Sequence, residues 1–231
     1  MQDWGLRMKR YSTLLGGGLG ACVALFASYA HAETVASPIE AAKHAPATFE
    51  LFGTTAFRIA ANRFGKDWER ARRESTSPRL RNLIRPAENT TREQQLAYVQ
   101  KTISRLIGWR SDATQWDRHD YWASADETLS RGLGDGEDRA IVKMHALLML
   151  GFSSRDLFLT LGRDRVVGPQ AVLIVRFQNR YLVLDDNGAT PYRLEKRPEF
   201  TPMLTFGFGA SWAHMSQATT ASIQSVASRS R

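Results

Sequence analysis

Apolar residues recur along this chain in two periods, and the change from one to the other falls near Gly151. A short alternating segment, Thr48 to Phe52, marks where order begins. From Thr54 onward Phe57, Ala61, Phe64, Trp68 and Ala71 step by three and four, which predicts an amphipathic helix that Ser77-Pro78 interrupts. A second helix is expected to start at Thr90, whose hydroxyl caps it while Glu93 closes a capping box. Its stripe is Leu96, Val99, Ile103 and Leu106, and it ends near Gly108. Ser124 and Glu127 announce a third, shorter helix by the same chemistry. A fourth runs from about Glu137 to Leu150 and stops at Gly151. Because it is apolar nearly all round, it reads as a buried central helix.

Beyond Gly151 the pattern becomes strand-like. Leu157 to Leu161, Ala171 to Phe177 and Tyr181 to Leu184 are predicted strands, and Gln178-Asn179-Arg180 is a tight connection that makes the last two a hairpin. Met203 to Phe208 reads as a further strand. Helices first and antiparallel strands after predict an α+β domain, with the buried helix packed on an antiparallel sheet.

The two ends do not belong to that pattern. Residues 1–32 have the layout of a secretory signal: a basic start (Arg7, Lys9, Arg10), an apolar stretch from Leu14 to Ser28, and Ala30-His31-Ala32 as an A-x-A cleavage site. Cleavage near Ala32 would make the mature chain begin at Glu33. Leu19-Gly20-Ala21-Cys22 loosely resembles a lipobox that would acylate Cys22, but Val23, Leu25 and Phe26 prolong the apolar run past the cysteine. A retained anchor is disfavoured because the apolar segment is short and glycine-interrupted beside the roughly 20 residues a spanning helix needs. Residues 33–46 are rich in alanine and proline and read as an extended lead-in, residues 47–215 as the folded domain, and residues 216–231 as a disordered tail of Ser, Thr, Ala and Gln. The 199 residues that follow the signal suffice for one domain with a real core.

The formal charge of +8 falls to +6 without the signal. Arg70, Arg72, Arg73, Arg79, Arg81 and Arg85 concentrate much of it in one helical stretch. The plain reading is a solvated face; the alternative is contact with an anionic lipid, an acidic polysaccharide or an acidic partner. Aromatic residues are not interleaved with these arginines, and export also argues against nucleic acid.

Cys22 is the chain's one cysteine, so the mature protein has neither a disulfide nor a thiol nucleophile. That bears directly on the next motifs: Asp120-Tyr121-Trp122-Ala123, then Gly134-Asp135-Gly136-Glu137-Asp138 opening the buried helix, then the hairpin ending Val183-Leu184-Asp185. With weaker support from Pro202 to Trp212, this set resembles the bacterial transglutaminase-like cysteine peptidases, periplasmic proteases that release surface adhesins during biofilm dispersal. The resemblance runs from about Phe49 to Met215 and implies a papain-like or transglutaminase-like fold. It also implies a triad: a cysteine at the x of G-D-x-E-D, where helix N–H groups favour the thiolate, a histidine on the first hairpin strand, and an aspartate on the next. Here Gly136 stands at the first place, Gln170 at the second when Val172-Leu173 are aligned, and Asp185 at the third. Glycine offers no nucleophile, and glutamine cannot take up a proton near neutral pH.

The acidic run at Asp135, Glu137 and Asp138 has two readings. On sequence alone it is a helix start, with Asp135 as N-cap and the others complementing the dipole. The resemblance adds calcium, because relatives bind it through the acids flanking the cysteine, which match Asp135 and Glu137; carboxylate oxygens suit that ion. His145 lies too far along the helix to serve the same site, His119 has no nucleophile to activate, and His44 and His214 fall outside the expected core. Tyr121 and Trp122 either pack in the core or line the old cleft. The chain is therefore expected to be a pseudoenzyme that binds a protein or peptide in the periplasm. The alternatives are a hydrolase rewired through Asp135, Glu137 and Asp185, and an envelope-surface protein that binds anionic lipid or polysaccharide.

Overall fold

Strand pairing between distant parts of the chain decides the architecture. The computed structural model describes residues 45–73, 77–186 and 190–216 together with Thr219, so the segments expected as signal, most of the lead-in and most of the tail lie outside the described residues. Ten strands are present among these: β1 (Thr48–Leu51), β2 (Thr54–Ile59), β3 (Gly108–Trp109), β4 (Leu133–Gly134), β5 (Leu157–Asp164), β6 (Gly168–Phe177), β7 (Arg180–Leu184), β8 (Tyr192–Arg193), β9 (Phe200–Phe206) and β10 (Ser211–Ser216). Eight form one antiparallel sheet in the order β1-β2-β10-β9-β5-β6-β7-β8, while β3 and β4 make a small parallel pair.

Thr54 does not begin a helix. Thr54–Ile59 is strand β2, with Thr54 and Ala56 buried, and it pairs on one side with β1 and on the other with β10 from the far end of the domain. The residues that fitted a helical stripe also fit a strand rich in β-branched and aromatic side chains, and two waiting partners settled the choice. The β1–β2 turn is Phe52-Gly53, both at positive φ (51° and 69°), the geometry a two-residue hairpin needs.

Six helices are described: α1 (Gly65–Ala71), α2 (Pro78–Ile84), α3 (Arg92–Leu106), α4 (Asp112–Trp116), α5 (Ala125–Arg131) and α6 (Gly136–Met149). The arginine-rich stretch is therefore not one helix: Arg70 lies in α1, Arg79 and Arg81 in α2, and Arg72, Arg73 and Arg85 beyond the helix ends. Ser77 does more than interrupt: its hydroxyl accepts from Leu80 N and Pro78 occupies the first turn, so a new helix begins there. The capping box on α3 is Thr91 with Gln94, one residue later than expected, because the Thr90 hydroxyl donates to Ala87 O instead. Ser124 and Glu127 form the expected box on α5. Gly151, at φ 81°, closes α6, its N–H bonding Leu148 O while Phe152 N bonds Leu147 O.

Helix α6 lies against β6, α3, α5 and α2. Ala171, Leu173 and Val175 of β6 pack on its side together with Ile141, Leu147, Trp122 and Phe206. Val172 and Ile174 point the other way, into a second cluster with Phe158, Phe200 and Trp212. Both faces of β6 are thus buried, and parity along it decides which face any residue serves.

Candidate functional site

The N-terminus of α6 meets β6, and this junction is where the site residues must be placed. Asp135 caps the helix, its carboxylate accepting from Asp138 N, and Gly136 is the first helical residue. A Cβ on Gly136 would lie 3.5 Å from Ala171 N and 3.6 Å from Ala171 Cβ, so Gly136 faces Ala171 across ordinary van der Waals space. It does not face Gln170.

Gln170 shares the parity of Val172 and sits on the opposite face of the sheet, where its Oε1 accepts from Arg197 Nη2 at 3.3 Å. Asp185 is on that face too. Its Oδ2 accepts from Arg197 Nη1 at 2.9 Å and from the Tyr192 hydroxyl. The buried Arg197 also pairs with Asp164 at 3.1 Å. Gln170 and Asp185 are therefore joined through Arg197. The side chains at two of the three triad positions thus turn toward Arg197, while Ala171, one residue along β6, is what faces Gly136, because neighbouring residues of a strand point to opposite faces.

On the α6 side the corresponding acid is Asp186, which pairs with Arg139 and Lys143 of that helix, each at 3.3 Å. Lys143 is 1% exposed and also donates to Asp185 O at 2.7 Å. Burial pulls its pKa down, and Asp186 opposes that shift.

Beside Gly136 is a cluster of carboxylates. Asp112, at the start of α4, meets Asp135 and Asp138, with one oxygen of each inside a 4.8 Å span. Asp138 is fully buried; its Oδ1 accepts from Ala123 N at 2.8 Å, while Oδ2 has no partner. Asp112 repeats the arrangement: Oδ2 accepts from Tyr121 N at 2.6 Å and Oδ1 is buried without a partner. Burial, reinforced by the neighbouring carboxylates, pushes Asp138 up to about 8 and Asp135 to about 6. Burial and the Asp135 charge likewise hold Glu137 well above the carboxylate range. Gly134 makes room for this cluster, since a Cβ there would fall 2.8 Å from Asp138 Cβ.

Of the two residues expected to hold calcium, Asp135 belongs to the converging trio. Glu137 lies beside it, outside that trio, and Asp112 and Asp138 supply the other two places. An acid three residues after an N-cap shares its side of the helix, which could have flagged Asp138. Asp112, in a separate helix, had no local signal. Two orphaned buried oxygens and an all-oxygen donor set fit a hard divalent cation.

The cluster is walled by aromatic and basic side chains. Arg70 lies 4.0 Å over the Tyr121 ring, the Trp116 ring meets it tilted by 45° with centroids 4.5 Å apart, and the Tyr121 hydroxyl donates to Glu127 at 3.0 Å. Trp122 is core, 1% exposed, whereas Trp109 on β3 beside Gly134 is 66% exposed. His145 is buried with Nε2 2.7 Å from Ala71 O, a packing role, and His119 is exposed. His214, placed outside the core on sequence, is half-buried in β10 between Thr54 and Thr205.

The sequence profile of a family described as bacterial transglutaminase-like cysteine proteinases matches residues 66–199. Comparison with curated proteins returns no match. Among solved structures, calcium-bound LapG of Legionella pneumophila is similar, with a TM-score of 0.53 and 24% identity over 64% of this chain and 86% of that one. A second LapG structure gives 0.53 and 22% over 71% and 93%, and an EGTA-treated one 0.52 and 21% over 70% and 93%. At these identities the likeness is one of fold. The profile match takes in α6, the β6–β7 hairpin and the whole carboxylate cluster, and it covers more than half of the sequence. The chain belongs to the bacterial transglutaminase-like cysteine proteinase family.

Proposed function

We propose that this chain is a catalytically silent member of its family that binds a protein or peptide partner in the periplasm, with calcium held by Asp112, Asp135 and Asp138. The observation that carries the reading is Gly136 against Ala171. The family nucleophile stands at the x of G-D-x-E-D, and the residue that faces this position across the junction carries no base. Loss of a triad nucleophile typically costs on the order of a millionfold in turnover, and loss of the base adds little because the residues act as a unit. What remains is a helix start capped by Asp135, with Gly136 packed against β6.

The calcium part rests on the orphaned oxygens of Asp112 and Asp138 and on the LapG structures described as calcium-bound and EGTA-treated. When bound, the ion would offset three carboxylate charges that burial disfavours and tie the start of α4 to the start of α6. The periplasmic part rests on the signal at residues 1–32; among the described residues no helix is long and apolar enough to cross a membrane. Rewired hydrolysis through Asp135, Glu137 and Asp185 loses its geometric basis, since Asp185 is bonded to Arg197 on the other face of the sheet.

The test is a peptide-library digestion by the chain from Glu33 onward, with calcium and with EGTA. No cleavage is expected in either, and thiol-directed inhibitors should have nothing to modify. Cleavage abolished by replacing one residue at the Gly136 junction would overturn the proposal.

A further inference from the structure

Gly108 and Trp109, the whole of β3, are both exposed and form one strand of the small parallel pair. Their surroundings hold this backbone firmly. Ile107, just before it, is core at 1% exposed. Gly108 N donates to Gly132 O at 2.9 Å and Arg110 N to Gly134 O at 3.1 Å, while Arg110 O accepts from Gln115 Nε2 at 3.3 Å. Gln115 is held in turn by Arg131, whose Nη1 donates to its carbonyl at 3.3 Å.

Trp109 alone is left facing outward. The N–H groups on either side of it, those of Gly108 and Arg110, both point to β4, so its own N–H and C=O point away, because the direction of hydrogen bonding alternates along a strand. Neither group has a partner among the described residues. Its indole is 66% exposed, and no other Phe, Tyr or Trp among the described residues is an exposed one. Charge and proline commonly guard a free strand edge; this one carries a glycine and a tryptophan.

A donor and an acceptor aligned on the free edge of a strand are matched by the backbone of another extended chain. An antiparallel chain matches them most simply, since one of its residues exchanges both bonds with Trp109, whereas a parallel chain must use two. The side chain of that residue lies on the same face as the indole, where β-branched and aromatic residues make the favourable cross-strand pairs. Proline is excluded there, because it lacks the N–H. Beyond Gly134 the chain passes directly into Asp135 and Gly136, so an added strand would be the third of a small sheet that ends at the start of α6.

We propose that β3 is a docking edge for an extended segment of a partner polypeptide, which adds antiparallel to it with a β-branched or aromatic residue opposite Trp109. The inference rests on the reading of the partner as a protein or peptide; it requires neither calcium nor the loss of the nucleophile.

The experiment selects a displayed library of random linear dodecapeptides on the chain from Glu33 onward and synthesises the binders with blocked ends. Binding should slow hydrogen exchange at the Trp109 amide and shift its indole N–H resonance. N-methylation of the one peptide residue opposite Trp109 should weaken binding at least about tenfold, and this scan leaves the chain itself unaltered. Trp109→Pro, which removes the N–H at an exposed position, should weaken the same peptides as much, whereas Trp109→Tyr should keep most of the affinity. Peptides that bind without protecting the Trp109 amide, or that tolerate N-methylation at every position, would overturn the docking edge while leaving a polypeptide partner in place. A library that yields no binder would overturn the edge and the reading beneath it together. Protection of the Trp109 amide that grows with protein concentration in the absence of peptide would assign the edge to a second copy of the chain and equally overturn the proposal.

Discussion

At the scale of single residues, the orientation of one hydroxyl fixes the state of His214. The Thr54 hydroxyl donates to Leu51 O at 2.7 Å, so toward His214 Nδ1, 2.8 Å away, its oxygen accepts. The ring therefore carries its proton on Nδ1, and Nε2 accepts from Thr205 at 2.8 Å, whose oxygen in turn takes the Thr160 hydroxyl at 2.9 Å. Burial lowers the pKa of His214 to about 4. Between the unfolded value near 6.5 and that lowered value the unfolded chain binds the extra proton, so this contribution is complete above about pH 6.5 and is lost as pH falls toward 4. We expect the unfolding free-energy difference between wild type and His214→Gln to shrink over that window by at most about 3 kcal/mol, measured by denaturant titration. Comparing the two proteins cancels the titration of the carboxylates. Asp138 gives a second prediction. With calcium at about a hundred times its dissociation constant, stability should rise by about 2.7 kcal/mol, and Asp138→Asn should abolish the response to EGTA. An EGTA-sensitive melting temperature in that variant would remove Asp138 from the ion site.

At the scale of elements, the start of α6 brings two electrostatic effects into opposition. The helix dipole favours an anion at Gly136, while Asp135, Glu137 and Asp138 disfavour one. A Cβ at Gly136 meets Ala171 at ordinary van der Waals distance, so Gly136→Cys places a thiol that reports the balance. Its alkylation by iodoacetamide should be faster with calcium than with EGTA, because the ion offsets the carboxylates that raise the thiol's pKa. Equal rates would mean that no cation reaches the cluster. Elements whose signals are local were legible in the sequence: the Ser124–Glu127 capping box, the Gly151 stop and the β6–β7 hairpin turn all formed where expected. Thr54–Ile59 was not legible, because its conformation is set by β10, from the opposite end of the domain.

At the scale of the whole molecule, α6 is the common wall of the helical layer and the sheet. Ile141 is fully buried among residues of both, so Ile141→Ala should cost about 2–5 kcal/mol in denaturant unfolding and lower the midpoint as one cooperative transition. A much smaller loss would show that the layers do not share one core.

The sequence by itself determined the class of the fold, the buried central helix, the family resemblance and the absence of a nucleophile at Gly136, since each depends on residue identity or on short-range periodicity. Only the tertiary structure decided what faces what. Strand parity turned Gln170 and Asp185 toward Arg197 and left Ala171 and Asp186 on the helix side. Chain folding brought Asp112 beside Asp135 and Asp138 from a different helix. Identity is written along the chain, whereas apposition depends on register and on long-range packing, where a shift of one residue exchanges the two faces of a strand.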